Sequence, residues 1–78
     1  MLREERWHQA LADVLAAAGV ADDEIAAGTV GWSKKLEIAA DLRREVGAPY
    51  GWIARTLKIS NAASLRMQVH RRLLQVSA

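Results

Sequence analysis

Seventy-eight residues, 51% hydrophobic and 26% charged, make one small domain with a core too slight to enclose a deep substrate cavity. The absence of cysteine excludes disulfides, a thiolate nucleophile and a zinc finger, and the two histidines, His8 and His70, are far apart, so no metal or other cofactor is expected. The formal net charge of +2 balances two opposed parts: residues 1–30 carry two basic and six acidic side chains, residues 31–78 nine basic and three acidic.

The opening residues, Met1 to Trp7, include acids where a signal peptide would carry its apolar segment. Trp7, Leu11, Val14, Leu15 and Ala18 then recur at helical spacing, predicting a first helix over about 3–18 that Gly19 ends. The longest apolar run, Val14 to Ala21, falls far below the roughly 20 residues of a membrane helix. Asp22, Asp23 and Glu24 favour the start of a short second helix over about 22–27. Ser33 is expected to cap a third helix over about 34–46, which turns Leu36, Ala39, Ala40 and Val46 inward and stops at Gly47. Pro49 suits the first turn of a fourth helix whose apolar side is Trp52, Ile53, Ala54 and Leu57. Ser60 or Asn61 caps a fifth helix running to about Gln75. No window alternates as a strand does. The expected fold is all-α, a single domain of four to five short helices.

The segment over about 49–75 has helix-turn-helix spacing. Ala54 is small where two helices cross, Leu57 fixes the first helix, Ile59 is apolar in the turn, and Leu65, Val69 and Leu73 give the second helix a buried stripe. Lys58 stands where the motif usually has glycine, and the turn is one residue longer than the commonest version. A helical wheel places Val76 and Arg72 with the buried stripe. It collects Ala63, Ser64, Met67, His70, Arg71 and Leu74 on the opposite side, with Arg66 at its edge.

A recognition helix needs small or hydrogen-bonding groups near its start and cations further along. On that ground Ser60, Asn61, Ser64, Arg66, Met67, Gln68, His70 and Arg71 are the candidate DNA-contacting residues of the fifth helix and its cap. Arg55 and Lys58 precede them and suit phosphate contacts that fix orientation. No acid follows Glu45, which suits a polyanion-facing end. A solvated basic face is the plainer alternative.

Trp7 and Trp52 read as core anchors, whereas Trp32 reads as a partly exposed loop residue. Tyr50 reads as a surface turn residue and His8 as a solvated one. Arg43 and Arg44 read as members of i,i+4 ion pairs.

Lys34-Lys-Leu-Glu-Ile-Ala-Ala-Asp-Leu-Arg-Arg-Glu45, Trp52-Ile-Ala-Arg-Thr-Leu57, Ile59, Ser60 and Leu65 resemble the C-terminal region of bacterial REP-associated tyrosine transposases. Glu5-Arg6-Trp7 to Gly31 resembles the helix before it. The resemblance implies a helical DNA-binding tail with a turn of this length. Three positions depart from the pattern: Ser60 replaces a glycine, Gly51 a lysine, and Val30-Gly31-Trp32 a lysine-glycine-aspartate. The catalytic half of that family has a histidine–hydrophobic–histidine metal site and a tyrosine nucleophile, which this chain lacks, so no catalytic residue is carried over.

The expected function is therefore a cytoplasmic, nucleoid-associated domain that binds double-stranded DNA and is not an enzyme. One module buries only roughly 600–1,000 Å² on DNA, so a homodimer or a catalytic partner protein is implied, and no membrane. The alternative is a helical protein-interaction or dimerisation module that uses the acidic N-terminal helix with Met67 and Leu74.

Overall fold

The computed structural model describes residues 2–77, with side chains described through Gln75. Its elements, among those residues, are α1 (Arg3–Ala18), α2 (Asp22–Ala27), α3 (Trp32–Val46), α4 (Tyr50–Thr56) and α5 (Ala62–Ser77), with no strand. The protein is a small all-α domain. No helix among the described residues is long and apolar enough to cross a membrane.

Each helix forms because its apolar residues fall on one face. In α1 these are Ala10, Leu11, Val14 and Leu15, all buried, flanked by half-buried Trp7 and Ala18. Helix α3 is the hub, packing against α1, α4 and α5. Ile38 and Leu42 lie at its centre with no exposed surface, against Ile53 and Leu57 of the α4 segment and Leu65 and Val69 of α5, equally covered. Burying each of these side chains contributes roughly 1.5–3 kcal/mol. No polar or charged side chain is buried among the described residues, so the core carries no desolvation cost of that kind.

The ends of the helices explain where the sequence reading needs correction. Ser33 does not cap α3. Gly31 holds the extended N-cap conformation and its carbonyl accepts the Lys35 amide at 3.0 Å, so α3 opens at Trp32. Trp32 is thus helical and not a loop residue. With that start, Ile38 and Leu42 fill the core, while Leu36 and Val46, expected inward, are only half-buried. Pro49 likewise lies one step outside α4 as its N-cap, accepting the Ile53 amide at 3.0 Å. Tyr50 opens α4 and is half-buried under the Arg43 guanidinium, 4.5 Å from the ring centroid. Among the described residues Arg43 has no carboxylate partner: it donates to the carbonyls of Gly47 and Ala48 at 3.2 and 3.0 Å. Arg44 pairs with Asp41, at i,i+3 rather than i,i+4.

Trp52 is buried as expected, whereas Trp7 is half-buried, tilted against it with centroids 5.4 Å apart. His8 is exposed but also packs edge-on to Trp52 at 5.3 Å. Arg72, expected with the buried stripe of α5, is exposed, while Leu65, Val69 and Leu73 carry the packing. The inward placement expected for Val76 lies outside the described side chains.

Between α4 and α5 the chain closes a six-residue loop of backbone bonds. The amide of Ile59 donates to Ala54 at 2.7 Å and that of Lys58 to Arg55 at 3.4 Å. These are the paired bonds of a Schellman C-cap, which needs a left-handed residue between them. Gly19 and Gly28 fill that place after α1 and α2. After α4 it is filled by Lys58, with φ 59°.

Candidate nucleic-acid interface

Helix α5 begins at a side-chain cap. Asn61 Oδ1 accepts the Ser64 amide at 3.0 Å, satisfying a donor that the helix start would otherwise leave open, so of the two candidate caps it is Asn61 that serves. Leu65 and Val69 then anchor the helix on α3 and α4. Their burial turns the other side outward. Ala63, Met67 and Arg71 form an exposed ridge at i, i+4 and i+8, with Arg66 and His70 beside it. Met67 is 57% and Leu74 58% exposed, so two large apolar side chains stand in solvent on a basic helix.

Clefts run along both flanks of the ridge. One is lined by Leu36, Ser64, Gln68 and Arg72, the other by Arg43, Tyr50, Arg66 and His70. Among the described residues no carboxylate lines either cleft, so Arg43, Arg66, Arg71 and Arg72 contribute a field of one sign.

The sequence-derived candidates divide accordingly. Arg66, Met67, His70 and Arg71 are exposed together on α5. Arg55 is exposed near the end of α4 and borders neither cleft. Lys58 and Ser60 are exposed in the turn. Ser64 and Gln68 are half-buried and already engaged. Trp32 Nε1 donates to Gln68 Oε1 at 3.2 Å, and Gln68 Nε2 donates to Ser64 Oγ at 3.2 Å. Because an indole nitrogen can only donate, the carboxamide must present its oxygen to Trp32 and its nitrogen to Ser64.

Two residues at this end were not among the sequence-derived candidates. Trp32 meets α5 from α3, and Lys35 Nζ donates to the Lys58 carbonyl at 3.4 Å across the turn. The available signal was Gly31: a helix starting there puts Trp32, Lys35 and Leu36 on one face. Among the described residues no three histidine, aspartate or glutamate side chains are grouped to hold a metal ion. No protein-family model, curated protein or solved structure matches the chain.

Proposed function

We propose that this protein binds double-stranded DNA, with α5 entering the major groove. The observation that carries the reading is the uncovered, carboxylate-free ridge of α5, which joins small residues near its start to Arg66, His70 and Arg71 further along. Arg66 and Arg71 reach guanine edges or phosphates, Met67 meets a thymine methyl, and His70 donates to phosphate. Arg55 and Lys58 hold the backbone and set the orientation of the helix. The resemblance to the tail of REP-associated tyrosine transposases points the same way and makes a second copy or a catalytic partner the expected companion. The setting is then the bacterial nucleoid. The test is fluorescence anisotropy of labelled duplexes at two salt concentrations, with Arg66→Ala and Arg71→Ala beside the wild type. Salt-sensitive binding weakened by either substitution supports α5 as the reading helix. Binding unchanged by both removes it from the interface.

One observation favours a second reading, a protein-interaction module. The exposed Met67 and Leu74 share the outward side of α5, as a helix docking on another chain would have them. Sedimentation, with a crosslink through Met67→Cys, separates the two readings.

A further inference from the structure

The turn between α4 and α5 closes a hollow of about 210 Å³, walled by Trp32, Lys35, Lys58, Ser60, Asn61 and Ser64. Small-molecule sites typically occupy roughly 300–1,000 Å³, so this hollow suits one charged group of a larger ligand. Residues 35 and 58 are 23 apart in sequence, and the fold brings the ammonium group of one to the backbone of the other. The contact uses one of the three donors of Lys35, and the side chain of Lys58 is exposed. Among the described residues no carboxylate lines the hollow, and Glu37, two residues after Lys35 on α3, is paired with Lys34 at 3.3 Å. The hollow is thus lined by two lysines and Ser60, with no carboxylate among the described residues.

We infer that this hollow is a phosphodiester seat, in which Lys35 of α3 and Lys58 of the turn grip one DNA backbone phosphate beside the start of α5. The inference rests on the DNA-binding reading and adds to it a contact made by α3. Lys35 is the new member. Its tie to the Lys58 carbonyl also holds the turn, so the test needs a readout that a purely structural tie leaves unmoved.

That readout is the slope of log affinity against log salt, measured by duplex anisotropy for the wild type, Lys35→Met, Lys35→Arg and Lys58→Asn. Asparagine tolerates the left-handed backbone at 58, which guards against a folding artefact. Each neutral variant is expected to reduce the slope by roughly one and to weaken all duplex sequences alike, whereas Lys35→Arg keeps the wild-type slope. An unchanged slope in both neutral variants, with intact helical circular dichroism, overturns the seat and leaves α5 reading untouched. Failure of the wild type to bind any duplex at low salt overturns the seat together with the reading it rests on.

Discussion

Trp32 and Gln68 are joined by an indole-to-carboxamide hydrogen bond of 3.2 Å that ties the first residue of α3 to the middle of α5. Gln68 passes the constraint to Ser64, one turn nearer the helix start. The pair is held within the protein itself, so a ligand bound there as proposed would cost less conformational entropy.

Trp32→Phe keeps an aromatic ring and removes the only donor on that side chain. The lost bond is partly solvated, so thermal unfolding is expected to report a cost of about 1 kcal/mol or less. The larger effect falls on discrimination. If α5 enters the groove as proposed, Gln68 with its amide released should tolerate more bases, while the salt slope stays that of the wild type. Competition between duplexes substituted at single base pairs measures this. A uniform loss of affinity with discrimination intact would assign Trp32 to packing alone.

Lys58 is strained. Its φ of 59° costs an ordinary L-residue roughly 1–2 kcal/mol, and the same cap is made by Gly19 and Gly28 at no such cost. Lys58→Gly is therefore expected to stabilise the domain by about 1 kcal/mol, net of the added freedom of the unfolded chain. For a domain of this size that raises the midpoint of thermal unfolding by roughly 4–8 °C. Calorimetry decides it, and a fall in the midpoint would mean that the side chain of Lys58 stabilises the turn by more than its backbone costs.

The two neighbouring arginines of α3 should differ in what their loss costs. Arg43 donates to two carbonyls beyond the end of α3 and covers Tyr50, joining α3 to α4. Arg44 makes one exposed pair with Asp41. Arg43→Gln is expected to cost about 1–3 kcal/mol, since carbonyls lose a charged donor, whereas Arg44→Gln should stay within about 1 kcal/mol. Urea titration of both variants measures the contrast. Equal costs would show that the carbonyl contacts of Arg43 contribute little.

What the sequence disclosed followed from spacing. The apolar residues of α1, the Leu65–Val69–Leu73 stripe of α5 and the glycine stops all report themselves through period and local chemistry. Helix starts were less legible. Serine is the commoner N-cap, so Ser33 displaced Gly31, and the first two residues of α3, Trp32 and Ser33, were lost with it. Because Trp32 and Lys35 reach α5 and the turn through tertiary contacts at separations of 36 and 23 residues, no local pattern encodes them. The exposed group on α5 was legible because the wheel needs only the buried stripe. Arg72 was misplaced by the same wheel: a cation at the edge of that stripe is free to swing its head group into water.

Met67 separates the two readings of the exposed ridge. It is 57% exposed between Ala63 and Arg71, on a face where the described residues include no carboxylate. Met67→Glu leaves the core untouched, so the stability of the fold should change by less than about 0.5 kcal/mol. If α5 enters the groove, the new charge faces phosphates and base acceptors, and duplex affinity should fall by roughly tenfold or more with no change in sedimentation. If the ridge is a docking face, the same charge would sit unpaired in an apolar contact, and self-association or partner binding should fall while duplex affinity stays as it was. Anisotropy and sedimentation on one preparation give opposite patterns for the two cases. Loss of duplex binding alone would also assign Met67 its role, since a charge placed outside the interface moves affinity only through screened, distant attraction.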